Sequence, residues 1–159
     1  MNHKAFTLME LMIVIVIIGI LSAVGMVMFG GQSEKAKIAA MQTIHNKIVK
    51  TVAFEMMKCQ LGETRIFSTS KYGGPYSTTC GTTPNWLAAS ARNGIYNSAE
   101  DKNPWKPKDF AIWEVTGRVG YFEKGRVIVT SSGNEVRVRS CWADGCDSSN
   151  RKLNIIIAE

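Results

Sequence analysis

The hydrophobic and polar positions divide the chain into stretches of different period. Residues 6–29 are almost uniformly apolar, with Thr7, Glu10 and Ser22 as the only distinctly polar side chains. A helix of this length can cross a hydrocarbon core of about 30 Å. A removable secretory signal has a shorter apolar region, then a small-residue cleavage site and a polar boundary; this run continues too far for that. After Gly30-Gly31 the pattern becomes amphipathic. Met41, Ile44, Ile48, Val52 and Met56 recur at helical spacing, while Glu34, Lys35, Lys37, Asn46, Lys47, Lys50 and Lys58 fall largely elsewhere. The spacing predicts one helical face in need of cover, with its Met residues acting as core filler rather than as a metal or cofactor box. The two stretches together predict one helix from Phe6 to about Gln60, roughly 80 Å long at about 1.5 Å per residue. Its first half would sit in lipid and its second would pack on a head.

Residues 62–110 show no sustained apolar period. Gly73-Gly74-Pro75, Thr82-Thr83-Pro84 and Asn103-Pro-Trp-Lys-Pro107 interrupt them, so a long irregular connection is expected, with a short helix near residues 85–93. From residue 111 the period turns towards two, and strands are expected at 111–115, 119–122, 126–130, 135–139 and 153–157. Gly117, Lys124-Gly125 and Ser132-Gly133-Asn134 separate them at hairpin-like intervals. Residues 111–158 therefore predict an antiparallel meander. Val136 and Val138 alternate with Glu135, Arg137 and Arg139, so one sheet face should be apolar and the other wet. The apolar face and the amphipathic helix would bury what each exposes. The fold class that results is α+β: a long N-terminal helix, membrane-spanning in its first half, packed on an antiparallel sheet.

Glu10 is the informative residue of the apolar run, because a carboxylate at membrane depth is costly and has a partner or a task. Nothing in the helix that follows would neutralise it. Cleavage between Ala5 and Phe6 would create an α-amino group four residues ahead of Glu10, and Glu10 of one subunit could then pair with the terminal ammonium of its neighbour. The segment Lys4-Ala5-Phe6-Thr7-Leu8-Met9-Glu10-Leu11, followed by an unbroken apolar helix, resembles the prepilin processing site of type IV pilins and of the pseudopilins of type II secretion systems.

In that family a short basic leader is removed by an aspartyl prepilin peptidase, the new terminal Phe is usually N-methylated, and a Glu at the fifth mature position guides assembly. The resemblance thus implies a leader at residues 1–5, cleavage after Ala5, methylation of Phe6 and an assembly role for Glu10. It further implies a homo-oligomeric helical filament, an inner-membrane assembly platform as partner, and residence in the bacterial inner membrane before assembly. The final location would be an extracellular pilus or a periplasmic pseudopilus. Two positions depart from the family pattern: Ala5 stands where Gly is usual before the cut, and Val27 where a helix-kinking Pro is common. Gly19 matches a glycine of the family helix, and Gly25, Gly30 and Gly31 add weak points at about 1 kcal/mol each relative to Ala. The resemblance covers roughly residues 4–29; beyond them the agreement is architectural.

Composition adds less. A chain of 159 residues has room for one compact head. Leaving out Lys4 and Glu10, the polar part holds 18 of the 19 Lys/Arg and 12 of the 13 Asp/Glu, and so the whole net charge of +6. That balance serves solubility, and leaves weak binding to DNA or an anionic surface as an alternative, through Arg137, Arg139, Arg151 and Lys152. Cys59, Cys80, Cys141 and Cys146 form an even set that reads as two disulfides in an exported head. Of the three connectivities, Cys59–Cys80 with Cys141–Cys146 is preferred, although spacing alone does not prove it. The spacing does not suit a zinc site, and Cys141-Trp-Ala-Asp-Gly-Cys146 is not a thioredoxin-like redox motif.

No catalytic constellation, cofactor or metal site is expected. His3 would leave with the leader, and His45 reads as a packing or surface residue of the helix. Gly73-Gly74 precedes Pro75 and reads as a turn rather than a phosphate loop. The rival from another functional class is a membrane-tethered enzyme or redox domain with a conventional anchor. Within the filament class the alternatives are a secretion pseudopilin and a DNA-uptake pilin.

Overall fold

The computed structural model describes residues 7–29, 31–69, 76–80, 83–113 and 123–157. They fall into two compact units, residues 1–36 and 37–159. The first unit is dominated by helix α1 (Leu8–Phe29). Its span from Leu8 to Gly25 has a mean hydropathy of 2.6 and buries nothing within the protein, so this apolar cylinder finds its cover elsewhere. The helix satisfies its own backbone groups, as an apolar medium requires, and the Ser22 hydroxyl donates to the Ile18 carbonyl at 2.7 Å.

The single helix expected from Phe6 to Gln60 is instead two helices. Helix α2 (Gln32–Gln60) begins after Gly31, which lies in a turn; Gly30 is outside the described residues. Two consecutive glycines cost the helical backbone about 1 kcal/mol each relative to Ala, with no side chain at Gly31 to compensate by packing.

In the second unit, α2 buries Met41, His45, Ile48, Val52 and Met56. Ile44 lies at the border of that stripe, and His45 at its centre. The stripe meets Val127, Val129, Val136 and Val138 of the sheet, together with Leu87, Ala88, Ala91 and Ile95 of a third helix, in one apolar core. Fully burying one such aliphatic side chain contributes about 1.5–3 kcal/mol, so this seam dominates the cohesion of the head.

Residues 62–110 are more ordered than their pattern predicts. They contain an antiparallel hairpin, β1 (Arg65–Thr69) with β2 (Tyr76–Thr79), and helix α3 (Pro84–Ser98), longer than the expected 85–93. Thr83 caps α3, its side chain accepting from the Trp86 backbone N–H at 3.4 Å, and Pro84 follows at the position where a missing N–H is harmless. The strands are too short to display a period, and what defines them is docking. Phe67 takes a left-handed backbone (φ 54) at the hairpin's irregularity and donates its N–H to Glu55 Oε2 of α2 at 2.8 Å. Its ring lies so close against Gly94 of α3 that a Cβ there would collide with it.

The larger sheet has the order β3-β4-β5-β6, from β3 (Ile112–Trp113), β4 (Val127–Ser132), β5 (Glu135–Cys141) and β6 (Arg151–Ile157). Strands β4, β5 and β6 are antiparallel, with β4 and β5 joined through Gly133 (φ 57), which supplies the positive φ of a two-residue hairpin turn. The meander is not antiparallel throughout, because β3 runs parallel to β4. Alternation looks the same in either direction and could not have distinguished the two. The strand expected at 119–122 lies outside the described residues.

The register fixes which residues share a face. Val136, Val138 and Ser140 of β5 stand beside Ile156, Asn154 and Lys152 of β6 on the side of α2. Glu135, Arg137 and Arg139 stand beside Ile157, Ile155 and Leu153 on the other. The expected wet face is therefore polar on β5 but not on β6, whose Leu153, Ile155 and Ile157 are half exposed.

Candidate functional site

The segment singled out by sequence is described from Thr7 onward; Ala5, Phe6 and His3 lie outside the described residues. Thr7 and Glu10 open α1 as a reciprocal pair. The Thr7 backbone N–H and its hydroxyl both donate to Glu10 Oε2, each at 3.4 Å. In return, the Glu10 backbone N–H donates to Thr7 Oγ1 at 3.3 Å. This is a capping box, in which Thr at the cap and Glu three residues on each satisfy a backbone donor that the helix leaves unpaired. Thr7-Leu-Met-Glu10 before an apolar run is its sequence signature, and the reading from hydropathy alone passed over it. Glu10 is thus engaged within its own helix, at the end where the aligned peptide dipoles favour negative charge. It has acceptors' work there but no countercharge among the described residues.

In the head, Cys59 is bonded to Cys80 and Cys141 to Cys146, with no free cysteine. The first bridge ties the end of α2 to the strand β2 hairpin, and the second closes the turn after β5. The chain between them is braced by Asn103 and Arg126, neither of which sequence reasoning selected. Asn103 is fully buried; its Oδ1 accepts from the backbone N–H groups of Trp105 (2.8 Å) and Lys106 (3.2 Å), and its Nδ2 donates to the Lys124 carbonyl (3.1 Å). Arg126 donates to the Phe110 carbonyl at 2.7 Å and pairs with Asp109 and Glu123. The Lys106 ammonium beside Glu123 is the main reason its carboxyl titrates below the usual range.

Of the four basic residues considered for nucleic acid, Arg137, Arg139 and Arg151 share the outer face of the sheet, and Lys152 lies on the opposite one. Lys152 faces α2 and donates to Asn46 Oδ1 at 2.8 Å. Arg137 is held on Glu135 at 2.7 Å, Arg139 reaches Thr130, and Arg151 stands diagonal to Arg139 across the β5–β6 pair. His45, expected as a packing or surface residue, is wholly buried and bonded to Asn154 Oδ1 at 2.7 Å. No group of three or more His, Cys, Asp or Glu is placed to hold a metal among the described residues.

In a comparison with protein families, residues 1–26 fit the prokaryotic N-terminal methylation motif, the prepilin-type signature of type IV pilins and pseudopilins. No curated protein and no solved structure is significantly similar to the chain.

Proposed function

We propose that the chain is a structural subunit of a type IV pilus-like filament, made as a precursor and assembled through its N-terminal helix. The observation that carries this reading is the methylation motif at residues 1–26, borne on a helix that is long and apolar enough to span a membrane and buries nothing of itself in the protein. Prepilin peptidase would cut after Ala5, leaving Phe6 as the methylated terminus. Before assembly the helix holds the subunit in the inner membrane, and the basic Lys4 side of the leader stays cytoplasmic. The disulfide-bonded head lies on the other side, in a compartment where such bonds persist.

In the filament the apolar helices replace lipid contacts by contacts with one another. Repeated subunits then meet through a heterologous, non-closing contact, which generates a helical fibre. Apolar packing alone gives little register, since one turn of such a helix resembles the next. Glu10 gives it, by leaving the capping box to pair with the α-ammonium of Phe6 on a neighbouring subunit. The role is structural, not enzymatic; the filament is the function.

N-terminal mass analysis of material sheared from cells tests this directly. The expected result is a mature chain that begins at Phe6 and carries one additional methyl group. Filaments whose subunits still begin at Met1 would overturn the proposal.

A further inference from the structure

Strand β6 is attached to the head in an unusual way. The other strands face α2 with Val127, Val129, Val136 and Val138, all buried. The helix-facing positions of β6 are Lys152, Asn154 and Ile156, while its remaining aliphatic residues, Leu153, Ile155 and Ile157, point to the exposed side. One apolar residue, Ile156, thus packs on the core from this strand. The rest of its attachment to α2 is polar: Asn154 to His45 at 2.7 Å and Lys152 to Asn46 at 2.8 Å. Beyond these, β6 has its backbone ladder with β5, its one strand neighbour among the described residues.

His45 is the weak member of that attachment. Its side chain is fully buried, and while Nε2 is bonded to Asn154, Nδ1 has no hydrogen-bond partner. A neutral ring tolerates this at the cost of one unsatisfied atom. An imidazolium would need an acceptor for Nδ1–H as well and would place a charge where water does not reach. The surroundings do not accommodate that charge. On the helix-facing side of β6 the ionisable group is the Lys152 ammonium, which repels it; Arg151 belongs to the opposite face. The helix-facing positions of β4 and β5 carry only Val and Ser. On α2 itself, Lys47 is paired with Asp101 at 2.9 Å and Lys50 is exposed.

We propose that His45 is an acid-sensitive latch on strand β6: with the ring neutral, β6 stays docked on α2, and on protonation the buried charge and its unpartnered Nδ1–H reach water only when β6 separates locally, before the rest of the head unfolds. Burial is the main cause that holds the imidazole below its ordinary value, and Lys152 adds to it, against a smaller opposing effect of the Asn154 bond. A group whose folded-state value is depressed in this way takes up a proton more readily when the strand is open. Docking is therefore complete above the unfolded-state value, near 6.5, and weakens as pH falls below it. Release is local because β6 contributes a single apolar side chain to the core, whereas β4 and β5 contribute two buried valines each.

The test is amide hydrogen exchange on the full chain in detergent micelles, corrected for intrinsic rates, between about pH 7.5 and about pH 5. Across the window between the two titration midpoints, opening of β6 should increase up to about tenfold per pH unit, while β4 stays protected. His45→Gln keeps an N–H donor for Asn154 but does not titrate, and should flatten the response. The His45 imidazole resonance, followed by NMR in the unaltered chain, gives a readout that needs no variant and should show a midpoint below the ordinary value. Three results would overturn the proposal: β6 protection independent of pH, an equal response in a folded His45→Gln chain, or an imidazole that titrates at its ordinary value or above.

Discussion

Glu10→Gln and Glu10→Ala separate the two tasks assigned to one side chain. Gln keeps an oxygen that can accept from the Thr7 N–H and hydroxyl, so it preserves the capping box and removes only the charge. Ala removes both. The bonds of the box are 3.3 to 3.4 Å long, at or beyond the weak end of the hydrogen-bond range, so losing it should cost the helix end no more than about 0.5–1 kcal/mol. The proposed intermolecular pair is a different matter. In a closed bundle of apolar helices, removing one partner of a buried ion pair costs about 3–5 kcal/mol, because the ammonium of Phe6 would be left buried and alone. At about 1.4 kcal/mol per factor of ten, subunit incorporation should fall by roughly two to three and a half orders of magnitude. Both variants should insert in the membrane with the head folded. The assay compares membrane-retained and sheared-filament pools in cells that express the variant as their sole copy. If Glu10→Gln assembles like wild type while Glu10→Ala does not, Glu10 is a helix cap and no more. Wild-type amounts of both in filaments would remove it from assembly altogether.

The two disulfides should differ in weight. By the chain-entropy relation, the Cys59–Cys80 bridge, with a separation of 21, contributes about 3 kcal/mol and Cys141–Cys146, with a separation of 5, about 2 kcal/mol; paired Cys→Ser variants compared by denaturant titration check the order, and equal losses would contradict it. Gly94→Ala gains about 1 kcal/mol in helix propensity but forces a Cβ into the Phe67 ring, a clash that costs about 1–3 kcal/mol. The melting temperature should fall, and a rise would show that the hairpin yields freely. Asn103→Ala leaves the Trp105 N–H and the Lys124 carbonyl without their buried partner, which should cost about 1–3 kcal/mol; proteolysis between residues 101 and 126 should quicken accordingly, and an unchanged cleavage rate would refute the bracing role of Asn103.

The sequence alone determined the elements whose information is local. An almost uniformly apolar run of lipid-crossing length reads as a helix, the stripe of Met41, Ile48, Val52 and Met56 declares the buried face of the helix that follows, and alternation in β5 assigns Val136 and Val138 to the core, because period and polarity are properties of neighbours along the chain. The capping box is local too, with Thr7 and Glu10 three residues apart. Other features needed the tertiary structure. The hairpin β1–β2 exists because Phe67 finds Glu55 and Gly94, partners 12 and 27 residues away; β3 is parallel to β4 although its pattern fits either direction; and α2 stops short of α1 at Gly31. The inversion of β6 is the clearest case. Its apolar residues Leu153, Ile155 and Ile157 outnumber the apolar residues it turns inward, and hydropathy by itself would place them in the core. Pairing with β5, and the contacts of Asn154 with His45 and of Lys152 with Asn46, hold the strand in the other register. Those contacts join residues more than 100 positions apart, so their energy appears only when the chain has closed on itself.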